Sequence, residues 1–433
     1  MHFILNFLRR NYLPLLFILF FPVMLNRINV NPRAVVWSDC EGYYMYLPGL
    51  FMIGDFHKLP EGSVWPQRNE KGEIMLKYTC GVAMFEMPFF LATKAYCIAK
   101  KYDVQDYFNV HYCRAMAISG YFFGFLGLFF LRKALLRRKF SEKVTFWTLL
   151  AVFLGTNLFH YMTKEVGMSH AYSFCLFAFT AWQTPRFYEK PSRLNAALLG
   201  GALGWLVLIR PTSAAVALFV YLYDVYSWRD LKTRTRFFFR ENLSKVAVAG
   251  ATAFLFFIPQ MLYWREMTGK WVRYSYENEG FIYWNKPKIA DVLFDVQNGL
   301  FLYTPMALLM MLGVFIDLKA RKNHAPALLL VFSLATYAFA SWWAWWFGGA
   351  FGHRCYVEYY ALLAFPLAGV IDRMFSLKNA ALRYVSFAVF VFLIYYSVKM
   401  SFLYTHLTGP WDGQDWRWNF DKIKWVWSYL FRF

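Results

Sequence analysis

The stretch "GVAMFEMPFFLATKAYCIA", Gly81 to Ala99, decides how this chain is threaded. Its length suits a bilayer crossing, which takes about 20 apolar residues. Glu86, Pro88 and Lys94 interrupt it, and a charge at mid-bilayer is costly. The basic residues elsewhere settle the choice. Apolar runs fall at about 12–28, 113–131, 144–162, 170–185, 196–210, 212–226, 246–264, 299–317, 326–345, 358–373 and 384–403. If 81–99 does not cross, the segments 132–143, 184–193, 228–245, 317–324 and 372–383 all share the side of Arg9 and Arg10. Together they hold half of the chain's 46 Lys and Arg. If it does cross, those five loops move to the opposite side from the N-terminus, against the positive-inside rule. The expected fold is therefore an all-α polytopic membrane protein of about 11 transmembrane helices. Its N-terminus is cytoplasmic and its C-terminus outside, with 81–99 a juxtamembrane or re-entrant helix in a long first outer loop, 29–112.

Composition supports a membrane class. Of 433 residues, 59% are hydrophobic and only 17% charged, too few charges to cover a soluble domain. The alternating short strands of an outer-membrane barrel are absent from the sequence pattern. The net charge of +20 is accounted for by cytoplasmic loops facing anionic headgroups. No basic stripe interleaved with aromatics points to nucleic acid. The six cysteines have no metal-ligand spacing. Cys40 and Cys80 both fall in the outer loop, where a bridge and two separate thiols remain equally open. Arg9 and Arg10 precede the apolar run from Leu13 to Leu25 without a small-residue cleavage site, the pattern of a retained signal-anchor helix. In the tail 404–433, Trp416, Phe420, Ile423, Trp427 and Leu430 recur at helical spacing, which predicts an amphipathic aromatic helix on the outer face.

The same threading sorts the polar residues. Most Asp and Glu, with His57, His111, His160, His170, His353 and His406, lie on or near the outer side. Five outer segments carry polar groups that a plain helix end does not need. They are Asp39-Cys40-Glu41, "TKEVGMSHAY" with Glu165 and His170, "IRPTS" with Arg210, the 273–287 loop with Tyr276, Glu277 and Glu279, and "GGAFGHRCYVE" with His353, Arg354 and Glu358. Each has a plain structural reading: Trp342, Trp343, Trp345 and Trp346 suit an interfacial belt, and Tyr43, Tyr44 and Tyr46 suit headgroup packing. Arg210 is harder to explain that way, because a cation between two apolar runs needs an anion or a wet cavity. Convergence on one face is the stronger signal.

In order, these segments resemble the bacterial integral-membrane glycosyltransferases of the GT-C superfamily, in particular family-39-like members related to the protein O-mannosyltransferases and the lipid A aminoarabinose transferase. Ser38, Asp39, Gly42, Tyr43, Tyr44, Tyr46, Leu47 and Pro48 match an acidic segment after the first span. Glu165, Met168, Ser169, His170, Ala171, Ser173 and Phe174 match a second segment. An "RP" pair, an "EGF…NGLFLYTP" loop and a "WWAWWFGGAFGHR" segment follow in order, so the resemblance spans about residues 30–370. The family often has Gly where this chain has Cys40 or Glu41. The resemblance implies a GT-C-like transmembrane domain over 1–403, in the bacterial plasma (inner) membrane, followed by the tail 404–433.

It also implies transfer of a sugar from a polyprenyl-phosphate-linked donor to a hydroxyl of a lipid, glycan or protein acceptor outside. Asp39 is then the general base and Glu41 its helper. Arg210 and Arg354, supported by His170 and His353 and more weakly by Arg114, would hold the donor phosphate. Glu165, Tyr43, Tyr276, Glu277 and Glu279 would line the sugar or acceptor pocket. Asp39 and Glu41 leave room for a divalent metal, yet two carboxylates alone are too few to assert one. The chief alternative is a transporter or lipid flippase, which needs ionisable groups at mid-bilayer and repeats with broken helices. A non-catalytic envelope scaffold would have no use for Asp39, His170, Arg210 and Arg354 together.

Overall fold

A computed structural model of the chain describes residues 2–62, 67–407, 424 and 427–431. It is 72% helical, and its strands among the described residues form one short antiparallel pair, β1 Gln67–Arg68 with β2 Ile74–Met75. Among the described residues, four helices are long and apolar enough to cross a bilayer: Asn11–Val30 of α1 (His2–Val30), α3 (Gly81–Lys100), α4 (Val110–Arg137) and Ala380–Tyr404 of the last helix. A fifth is added if a bent pair, Leu243–Leu255 and Ile258–Thr268, counts as one span. These helices are compatible with a multi-pass membrane protein.

The other expected runs are helical but shorter or broken. The run 144–162 splits into α5 (Glu142–Leu154) and α6 (Leu158–Thr163) around Gly155. The run 299–317 is interrupted at Thr304-Pro305, because proline has no amide hydrogen to continue the ladder. Between them run α7 (His170–Glu189), α8 (Arg193–Ile209) and α9 (Val216–Tyr221). The bent pair α10 (Leu243–Leu255) and α11 (Ile258–Thr268) turns by 41° beside Pro259. The chain closes with α12 (Met306–Ala320), α13 (Ala325–Ser341), α14 (Tyr360–Phe375) and α15 (Ala380–Leu407).

Small residues set the closest approaches. A Cβ on Gly120 of α4 would sit 2.1 Å from the Val166 carbonyl, and one on Gly127 would sit 2.7 Å from the Phe174 ring. Gly200 and Gly204, one turn apart on α8, likewise let it meet the backbone of Ala249 and Ala253 on α10. The loops at one end are stitched by charges. Arg138 donates twice to Asp224, at 2.7 and 2.8 Å, and His324 Nδ1 lies 3.0 Å from the same carboxylate. Arg137 pairs with Glu189, and Arg373 donates to Asp317 at 2.7 Å. The basic segments 132–143, 184–193, 317–324 and 372–383 thus meet in one polar layer, next to a cavity of about 210 Å³.

Although α3 passes the length and composition measure for a span, it runs beside only the first half of α4. Phe85 meets Phe123 at 4.5 Å, Phe89 meets Phe122, and Tyr96 meets His111 at 5.6 Å. Its start is tied to the last turn of α8 by Trp205, which donates to the Gly81 carbonyl at 2.7 Å. The basic layer belongs to the other half of α4, at Arg132–Arg138. All six cysteines are unbridged, Cys40 and Cys80 among them. Most of the expected tail helix, including Trp416, Phe420 and Ile423, lies outside the described residues, as does the His406 side chain. Trp427 donates to Tyr396 at 3.1 Å and Leu430 packs with Met400 and Tyr404.

One clasp holds the first long loop onto α11. His57 places Nδ1 2.8 Å from Glu73 and Nε2 3.2 Å from Glu266. Each nitrogen faces a carboxylate, an arrangement that favours the imidazolium. The bonds to Glu73 and then Glu266 raise its pKa above the ordinary 6.5. A raised folded value means that the clasp's contribution is complete below the unfolded value and is lost as pH rises through the folded one. Protease cleavage in segment 55–75 should therefore increase between about pH 6 and about pH 9. In His57→Gln it should be high and nearly independent of pH.

Candidate active site

Asp39 opens α2 (Asp39–Tyr44), where a carboxylate is favoured by the helix dipole. The residue before it, Ser38, is held at φ 59°, ψ −128°, a costly conformation for a non-glycine residue. That kink turns the chain out of the short 3-10 turn Pro32–Val36 and aims Asp39 inward. On a six-residue helix, Asp39 and Tyr43 share one face while Glu41 falls about 200° round the axis. The contacts follow that split. Asp39 Oδ2 lies 2.9 Å from Arg354 Nη2, and Oδ1 accepts from the Tyr78 hydroxyl at 2.6 Å. Tyr43 packs on Tyr78 with ring centroids 4.8 Å apart. Gly42 makes room for Tyr78, since a Cβ there would come within 2.5 Å of its ring. Glu41 turns away and pairs with Arg33 at 3.2 Å. The two neighbouring acids therefore do not converge, and no trio of His, Cys, Asp or Glu among the described residues is arranged for a metal ion.

The two cations come from breaks between helices. Arg210 follows the last residue of α8, where the backbone turns extended before Pro211. Its Nε donates to Ser169 Oγ at 3.2 Å and its Nη1 to Cys355 Sγ at 3.1 Å. Nη2 lies 3.3 Å from His170 Nε2, at the start of α7. Arg354 sits just past Gly352, whose φ of +65° suits glycine. Among the described residues, its Nη1 has only the Met168 thioether, at 4.0 Å, and its buried Nε has no acceptor. Glu358, 1% exposed, completes the cluster. Its Oε2 is 3.1 Å from His170 Nδ1 and its Oε1 is 3.7 Å from Arg210. Burial works to raise the Asp39 carboxyl. Arg354, then the Tyr78 hydroxyl, then Arg210 more than offset it, so Asp39 is held below the ordinary aspartate value and is ionised at neutral pH.

The remaining expected residues divide. Tyr276 joins the site: its ring lies edge-on to Tyr78 at 6.1 Å and to Trp342 at 5.7 Å, with the Lys77 ammonium 5.2 Å from its centre. Glu279 pairs with Lys77. Glu277 instead pairs with Arg273 at 3.3 Å and is largely exposed. Glu165 pairs with His160 at 3.4 Å, toward α15. Arg114 donates to Asn29 at 3.1 Å, at the end of α1. His353 is packed among Phe339, Phe347 and Tyr356, with Nε2 3.1 Å from the Trp345 carbonyl. Burial pushes its pKa down to about 3, so it is neutral and part of the aromatic packing.

Sequence reasoning did not count Glu358, Lys77 and Tyr78 among the site residues. Glu358 had a legible signal, since it lies four residues after Arg354 at the head of an apolar run. Lys77 and Tyr78 had none, because only the fold brings them to Asp39. A comparison with protein-family models finds no match to this chain, and a comparison with curated proteins finds none either.

The Asp39–Arg354 pair makes a stability prediction. Removing one member of a buried pair strands the other. Arg354→Met should lower unfolding stability in detergent by roughly 3 kcal/mol. Adding Asp39→Asn to that variant should recover most of the loss, as read by denaturation of the single and double variants.

Proposed function

We propose that this protein is a glycosyltransferase that moves a sugar from a polyprenyl-phosphate carrier to an acceptor hydroxyl at the outer face of a bacterial plasma membrane. The observation that carries the reading is the edge of Arg354. One of its nitrogens holds Asp39, while among the described residues Nε has no acceptor and Nη1 faces only a thioether. A base and a guanidinium edge ready for an oxyanion therefore stand side by side. The resemblance of the ordered segments to GT-C enzymes supplies the substrate class.

In this reading Asp39 takes the proton of the acceptor hydroxyl, and that oxygen attacks the anomeric carbon. The bond from the anomeric carbon to the phosphate oxygen breaks, and the polyprenyl phosphate departs with the electron pair. Arg354 and Arg210 stabilise the charge that grows on it. Tyr43, Tyr78 and Tyr276 offer aromatic faces to the apolar side of a sugar ring. Glu41, Arg114, His353 and Glu277 take no part, because their side chains are committed elsewhere. The threading that accompanies this function has 11 spans, a cytoplasmic N-terminus and an outer C-terminus, with α3 entering and leaving from the outer side.

Two measurements test the proposal. Asp39→Asn should reduce transfer from a radiolabelled polyprenyl-phosphate sugar by about 10²–10⁴-fold while the protein still inserts in membranes. Near-normal transfer would remove Asp39 from the mechanism. In a cysteine-free background, single cysteines at Lys71 and Lys101, on either side of α3, should label from outside, and one at Lys139 only after permeabilisation. Labelling of Lys71 and Lys101 from opposite sides would make α3 a span.

A further inference from the structure

The cluster behind Arg354 has a feature that the transfer step does not require: a buried chain of Glu358, His170 and Arg210. We infer that Glu358 is a positioning residue, which holds His170 as a neutral imidazole protonated on Nδ1 so that its Nε2 lone pair fixes the direction of Arg210. The inference rests on the proposed transferase reading for its purpose, though not for its geometry.

A guanidinium has donors and no acceptor. At 3.3 Å from Arg210 Nη2, His170 Nε2 therefore has to accept, and the ring proton belongs on Nδ1. Nδ1 points at Glu358 Oε2, 3.1 Å away, which accepts it. An imidazolium would turn an Nε2–H against the Arg210 N–H and add a third cation beside two guanidiniums. The groups facing His170 from every packed element agree with a neutral ring. They are Arg210 after α8, Arg354 and Glu358 before α14, the neutral His353, and the Tyr161 ring of α6 at 4.7 Å. His170 and Glu358 are both shut off from bulk solvent.

His170 thus gives no proton and no hydrogen bond to a phosphate, unlike the donor role expected from sequence. It is the acceptor that, with Ser169 Oγ and Cys355 Sγ, tethers all three Arg210 nitrogens. The remaining Arg210 N–H groups are then presented in one fixed direction, and preorganised donors act on a leaving phosphate without reorganisation. A guanidinium that could swing would collapse onto Glu358, whose other oxygen is 3.7 Å from Nη1.

The test is ¹⁵N NMR of histidine-labelled full-length protein in lipid nanodiscs, with His170 located by difference from His170→Gln. The wild type should show Nδ1 protonated and Nε2 unprotonated, unchanged from about pH 6 to about pH 8.5. A titrating ring, or a proton on Nε2, would overturn the inference. Glu358→Gln keeps an acceptor oxygen and should keep this pattern, whereas Glu358→Met should replace it with averaged shifts. Binding of a long-chain polyprenyl phosphate should follow. It should weaken about tenfold in Glu358→Met and stay within about threefold of wild type in Glu358→Gln, a loss of about 1.4 kcal/mol for the former. A Met variant with wild-type shifts and affinity would make Glu358 a packing residue and end the proposal. If the wild type binds no polyprenyl phosphate, the transferase reading fails, and the ¹⁵N pattern of wild type and Met variant alone decides the positioning role.

Discussion

Two guanidiniums removed from bulk water must each find a negative partner, and that constraint organises one end of this molecule. Arg354 has Asp39 beside it and Arg210 has Glu358 3.7 Å away, so each guanidinium faces a carboxyl group. Such a partner matters because an uncompensated buried charge costs several kcal/mol in effective terms. The partners come from segments far apart in sequence. Asp39 opens α2 within the first long loop, Arg210 follows α8, and Arg354 with Glu358 leads into α14. Pairing them therefore pins three helix junctions to one point.

The local backbone is shaped to make that pairing reachable. Each junction breaks a helix: a positive φ at Ser38, an extended residue before Pro211, a glycine at positive φ before His353. A continuous helix would satisfy its own carbonyls and leave these side chains facing lipid or neighbouring helices. Breaking it frees polar backbone, which is tolerated at membrane depth only where protein or a wet cavity receives it. The same logic explains the aromatic density nearby. Tyr43, Tyr78, Tyr276 and Trp342 wall the cluster with rings that exclude water yet carry a polar tip.

How much of this could be read in advance follows from the length scale of each signal. Each of the eleven apolar runs contains helix in the structure, because hydropathy sums over many residues and tolerates local error. The breaks at Gly155 and Thr304-Pro305 were not read, since a run can stay apolar while its hydrogen-bond ladder stops. Asp39, Arg210, Arg354, His170 and Tyr276 were legible as polar residues without a structural excuse, and they do meet. Glu41 was grouped with Asp39 by closeness in sequence, but the turn of α2 sends it to Arg33. His353 was grouped with Arg354 in the same way, and it faces a carbonyl within an aromatic nest. Glu358 stands out in sequence as an outer polar residue but carries no assigned role, because its partners are more than 140 residues upstream.

The opposite end of the bundle bears on the site through rigidity. Arg138, Tyr226 and His324 all converge on Asp224, itself at a positive φ of 54°. That knot ties the ends of α4, α9 and α12 together at one level, while Gly120 and Gly127 lock α4 against α7 and its lead-in. His170 begins α7 and Arg210 ends α8, so both inherit a fixed height relative to α4. Without such a reference the 2.9 Å contact of Arg354 with Asp39 and the 3.1 Å contact of Glu358 with His170 would have to be held by the connecting loops alone. Loops open at low free-energy cost, whereas packed helices do so close to the global one. A site whose charged groups must keep a fixed geometry is better built from helix ends than from loops. Here the first long loop contributes Asp39 and Tyr78, and the helix ends contribute both arginines.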